Sequence, residues 1–69
     1  MNISKKKIEE AINDNIAVVY LLKDNIRIAC KVNDNKEYHF NQDEKYLIIT
    51  AKSFYIVENL KLKEIHPFK

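Results

Sequence analysis

The side chains able to hold a metal or to act as nucleophile or general acid are His39, His66, Cys30 and scattered carboxylates. No two of them show a metal-ligand spacing or sit on a strand-turn-helix elbow, so we expect no catalytic site, no metal and no cofactor. Cys30 falls in phase with Ile26, Ile28 and Val32 and reads as a small core residue rather than a reactive thiol. His39 alternates with Tyr38 and Phe40, which places it on a wetter face as an ordinary surface histidine.

The remaining chemistry is electrostatic. Lys5, Lys6 and Lys7 lie in the first turn of an expected helix, where the macrodipole disfavours positive charge. Two readings of them stand side by side: a solvated basic patch, or an anion site in which the three lysines and the helix N–H groups bind phosphate. Arg27 and Lys31 share one face of an expected strand, and Lys61 and Lys63 share one face of another, giving two basic rows. Single-stranded nucleic acid needs such rows together with aromatic platforms for its bases. Tyr20, Tyr38 and Tyr55 are the candidate platforms, with Tyr46 and Phe54 also available. The plainer reading is that aromatics fill small β cores and that lysines guard edge strands against aggregation.

Positioning these groups requires one helix and a sheet. Ile8, Ala11 and Ile12 recur at helical spacing, Ser4 is a suitable N-cap between Ile3 and Ile8, and Asn13-Asp14-Asn15 can end the helix; this predicts a helix over about 4–13. From Ile16 the period changes to two, with polar turn clusters at 23–25, 33–35 and 42–44. Strands are predicted at 16–22, 26–32, 36–41, 45–51, 53–58 and 60–65, in an antiparallel meander over about 16–65, with a bulge or a closing turn to explain the phase of Ile65. Residues 16–22, 46–49 and 54–57 are apolar on both faces, more than one helix and one core can cover, which predicts an interface.

With 69 residues, a single cysteine and no glycine, the chain predicts one small domain over 1–69 that lacks disulfides and must turn on Asn and Asp. A domain of this size buries only about 60% of its unfolded surface, so association with a partner would add needed stability. The longest apolar run, Ile16 to Leu22, is too short to span a bilayer, and the basic start is followed by Ile8-Glu9-Glu10 rather than an apolar stretch, so we expect a cytoplasmic protein with no membrane partner. The net charge of +2 does not by itself point to nucleic acid.

A short helix followed by a strongly bent five- or six-strand meander resembles the Sm-like (SH3-like) small β-barrels. The spacing is most similar to the WYL domain: Ile8 to Ile12 stand for its leading helix, Val18 to Tyr20 for its first strand, Tyr46-Leu47 for its Tyr-Leu pair, and Leu60-Lys61-Leu62-Lys63-Glu64-Ile65 for its closing run. Lys45 replaces that family's Trp, and Lys63 and Glu64 reverse two of its charges. The Hfq family resembles the chain at Ala17 to Leu21, Tyr46 to Thr50, Phe54 to Val57 and Ile65-His66-Pro67, with Glu58-Asn59 where its Lys-His dipeptide belongs. The Rho inhibitor Rof resembles it at Glu44 to Ile49 and Leu60 to Ile65. What these resemblances imply is a small bent antiparallel β-barrel, mostly β with one N-terminal helix, acting as a non-enzymatic regulatory module. The leading expectation is contact with single-stranded RNA through Lys5, Lys6, Lys7, Arg27, Lys31, Lys61 and Lys63, with homo-oligomerisation by edge-strand pairing. The alternatives are a protein-binding inhibitor or adaptor (Rof-like or phage-type) and a ligand-sensing WYL-like module.

Overall fold

The computed structural model describes residues 2–35 and 37–68. The chain runs β1 (Asn2–Ser4), α1 (Lys5–Ile12), β2 (Ile16–Lys23), β3 (Ile26–Ala29), β4 (His39–Asn41), β5 (Lys45–Thr50), β6 (Ser53–Glu58) and β7 (Lys61–Pro67). All strand pairs are antiparallel, in a two-stranded ribbon β1-β4 and a five-stranded sheet ordered β3-β2-β5-β6-β7.

The helix forms where its caps place it. Ser4 is extended and its hydroxyl accepts from the Lys7 amide at 3.3 Å, while Asn13 adopts φ 56° and donates its N–H to the Glu9 carbonyl. Ile3, Ile8 and Ile12 pack toward the core from its two ends and its inner side. In a chain without glycine, the left-handed positions fall to Asn13, Asp24, Asn25, Asn59 and Leu60. Asp24-Asn25 and Asn59-Leu60 each supply two consecutive positive φ values, the geometry whose twist suits a two-residue hairpin. Leu60 has no side-chain oxygen to support that conformation; its side chain packs on the core instead, which offsets the backbone cost.

The β5–β6 hairpin is built differently. Its loop residues Ala51 and Lys52 are not among the left-handed ones, and the tight turn depends on Thr50. The Thr50 hydroxyl donates to the Ser53 carbonyl at 3.0 Å and accepts from the amides of Lys52 and Ser53 at 3.2 and 3.1 Å. Both Thr50 and Ser53 are buried.

The core lies on one face of the sheet, between it and α1 with the β1-β4 ribbon. It comprises Ile8, Ile16, Val19, Phe40, Tyr46, Ile48, Tyr55 and Val57. Phe40, Tyr38 and Tyr46 form a triangle of edge-to-face rings with centroids 4.8 to 5.8 Å apart, and the Tyr46 hydroxyl accepts the Asn41 amide at 2.9 Å.

Several expectations are corrected. The strands are not in meander order: β2 pairs with β3 on one side and with β5 on the other, so the connection from β3 to β5 crosses to the β1 ribbon before returning. No pairing joins β3 to β7 among the described residues, so the sheet has two free edges. β3 stops at Ala29 and is exposed along its whole length, because no element covers its inner side; Ile26 and Ile28 stand 57% and 43% exposed. The strand expected over 36–41 is reduced to His39–Asn41, and Lys36 lies outside the described residues. Of the bulge and the closing turn expected for Ile65, it is a bulge that occurs: the register shifts between Ile56 and Val57, leaving Lys63 opposite no partner and returning Ile65 to the side of Leu62.

Candidate functional site: the outer face of the sheet

Register and burial together assign each strand residue to a face. On β5, Tyr46, Ile48 and Thr50 are buried, so Lys45, Leu47 and Ile49 point the other way. Cross-strand partners share a face, and the pairing therefore extends this outer face over all five strands. Three transverse rows result. The first holds Arg27, Leu22, Lys45, Glu58 and Lys61; the second Ala29, Tyr20, Leu47, Ile56 and Glu64; the third Val18, Ile49, Phe54 and His66. Seven large apolar side chains, Val18, Tyr20, Leu22, Leu47, Ile49, Phe54 and Ile56, thus stand together on a face that carries neither the helix nor the ribbon. They are half-buried, shielding one another rather than lying under another element.

The borders of this face are polar. His66 stacks on Phe54 with ring centroids 4.6 Å apart and lies 2.7 Å from a Glu64 carboxylate oxygen, and Phe68 adds a third ring 6.0 Å from Phe54. Across the three rows a shallow trough of about 540 Å³ is lined by Leu22, Arg27, Lys45, Leu47, Ile56 and Phe54, among others. Among the described residues no group of three or more His, Cys, Asp or Glu is placed to hold a metal ion, and no helix is long and apolar enough to cross a membrane.

The residues singled out from sequence are dispersed. Lys5 is buried, its amide donates to the Tyr38 carbonyl, and its ammonium pairs with Glu9 at 3.9 Å, so only Lys6 and Lys7 of the three lysines are exposed. The amides of Lys5 and Lys7 are both engaged, by the Tyr38 carbonyl and the Ser4 hydroxyl. Lys31 follows the end of β3, and Lys63 sits at the bulge, so neither expected basic row continues along its strand. Arg27 and Lys61 instead fall on the first outer row with Lys45, which sequence reasoning did not select. Of the stacking candidates, Tyr20 is on the outer face, whereas Tyr55 is buried at 7% exposure and Tyr38 turns into the aromatic triangle. His39 is exposed on β4 as expected, and Cys30 packs against the core.

Cys30 and Tyr38 form a polar contact at the core margin, the thiol sulfur and the Tyr38 hydroxyl oxygen lying 3.2 Å apart. Burial first, then hydrogen bonding to Cys30 and Tyr46, holds the Tyr38 hydroxyl far above its usual pKa of 10.0. A raised folded-state pKa means that the unfolded chain ionises first. The stabilisation from this group is therefore complete below pH 10 and declines as pH rises beyond it. Alkaline titration of stability, followed by circular dichroism, should show a fall beginning near pH 10 that is shallower in Tyr38→Phe. An identical slope in the variant would contradict this account.

No family model, no curated protein and no solved structure matches this chain.

Proposed function

We propose that this protein is a non-enzymatic interaction module that works by docking the outer face of its sheet against another protein surface. The observation that carries this reading is the contiguous apolar face made by Val18, Tyr20, Leu22, Leu47, Ile49, Phe54 and Ile56 on the side of the sheet opposite the core. Antiparallel sheets usually leave one face to water and make it polar; an apolar outer face of this extent marks an interaction site. Covalent side-chain labelling tests it: Tyr20, Leu47, Phe54 and Ile56 should be labelled strongly in the dilute purified protein and weakly in concentrated cell extract. Equal labelling in both, with protection falling on α1 or on residues 30–38, would overturn the reading.

A second reading is favoured by the first row, where Arg27, Lys45 and Lys61 stand level across the sheet, with Glu58 between the last two and Tyr20 in the adjoining row. Cations bordering an aromatic sheet face suit single-stranded RNA, with the phosphates along the row and a base on Tyr20. In this reading the chain is an Sm-like regulatory module, supported by a helix ahead of the five-stranded sheet, whose register shifts at Ile16/Val18 and at Ile56/Val57. Titration with oligouridine and oligoadenine should give binding that weakens steeply with salt and drops about tenfold in Lys45→Glu. Absence of binding, or binding indifferent to salt, refutes it.

A further inference from the structure

We infer that the protein docked on this outer face presents an acidic-apolar segment, with a carboxylate at one end of a ridge of large apolar side chains, and that the trough across the three rows seats that ridge. The inference rests on the docking reading above and names the chemistry of its partner.

The trough is chemically polarised along its length. β2 enters the outer face at Val18 in the third row and leaves it at Leu22 in the first, so the tip of the β2–β3 hairpin, Lys23 to Ile26, lies beyond the first row. Lys23, Arg27 and Lys45 therefore line the trough at its hairpin end, whereas Leu47, Ile56 and Phe54 line it through the second and third rows. Against these three cations the lining holds a single acid, Asp24. Among the described residues none of the three forms an ion pair, although Glu58 is the cross-strand neighbour of Lys45. Guarding of sheet edges accounts for charge on β3 and β7, but Lys45 belongs to β5, the central strand of the five. A carboxylate from outside the chain is the group that would neutralise it.

Interfaces set apolar groups at the centre and complementary charges at the rim, where charge selects the partner. Alternate residues of an extended segment face a sheet about 6.8 Å apart, the same interval as the rows. A carboxylate set beside Arg27 and Lys45 consequently brings the next two inward-facing residues over Leu47 and Ile56 and then over Phe54, where large apolar side chains fit. RNA suits the trough less well. Phosphates need a track of cations, and these cluster at one end, with Glu58 standing between Lys45 and Lys61. Beyond the hairpin end the lining is aliphatic apart from Phe54, whose ring already stacks on His66 at 4.6 Å.

A displayed library of random dodecapeptides selected on the intact chain tests the inference. Enriched peptides should carry aspartate or glutamate followed at alternate positions by large apolar residues, should protect Leu47, Phe54 and Ile56 from side-chain labelling, and should bind less tightly as salt is raised. Arg27 and Lys45 are both exposed, so the double variant Arg27→Glu with Lys45→Glu should stay folded by circular dichroism. It should bind the selected peptides at least about tenfold more weakly, and a fresh selection on it should replace the acid with lysine or arginine. Peptides that protect the face yet lack acids, or that bind the double variant equally well, overturn the acidic partner and leave the docking reading standing. A library that yields no binder, or only binders that leave Leu47, Phe54 and Ile56 unprotected, overturns both. Displacement of the peptides by oligouridine at a lower concentration than free peptide requires gives the face to RNA and also overturns the inference.

Discussion

Phe40→Ala is expected to destabilise the protein by about 3–5 kcal/mol, close to the whole stability available to a domain of this size. Phe40 is fully buried, and its ring touches both Tyr38 and Tyr46 edge to face at 5.2 and 4.8 Å. It is also the central residue of β4, paired with Ile3, so it ties the N-terminal ribbon to the sheet core. Its removal leaves a cavity between the ribbon and the sheet. Urea unfolding should show a molecule largely unfolded before denaturant is added, whereas Phe54→Ala on the outer face, measured on the monomer, should cost far less. Equal effects from the two would mean that the core lies on the other side of the sheet.

Thr50→Val should cost about 2–4 kcal/mol although it changes neither volume nor shape. The substitution removes the hydroxyl that bonds the Lys52 amide, the Ser53 amide and the Ser53 carbonyl in a turn whose Thr50 and Ser53 are buried and whose loop residues are exposed. Those backbone groups have nothing equivalent to replace it, because the loop lacks a left-handed residue. Thr50→Ser keeps the oxygen and should lose less than half as much. A valine variant as stable as the parent in thermal melts would show that the turn holds without its hydroxyl.

Local signals made much of this fold legible, and non-local ones did not. Ser4 and Asn13 bracket the helix to within a residue of its predicted ends, and Asp24-Asn25 mark their hairpin, because caps and turns are decided by a few neighbouring side chains. The three residues of β1 carry no alternation to read, and they are a strand only because β4 lies beside them. The pairing of β2 with β5 has no local cause either; it follows from which apolar strands share the core. Lys5 looks like a solvent residue within a basic run until the segment ending at Tyr38 closes over it. On β6 both faces are apolar, so periodicity could not tell that Tyr55 turns inward and Phe54 outward. The same excess of apolar residues did announce the outer face, although it did not reveal that Arg27, Lys45 and Lys61 line up along its border.

The crossed strand order also governs how the chain matures on the ribosome. β1 pairs with residues 39–41, and β2 receives its second neighbour only with 45–50. Until those segments have emerged, the nascent chain has a helix with nothing beneath it and a single hairpin with both sides bare. Pairings so distant along the chain slow folding and postpone it until synthesis is nearly finished. Early truncation products should accordingly be insoluble or rapidly degraded instead of accumulating as partly folded fragments.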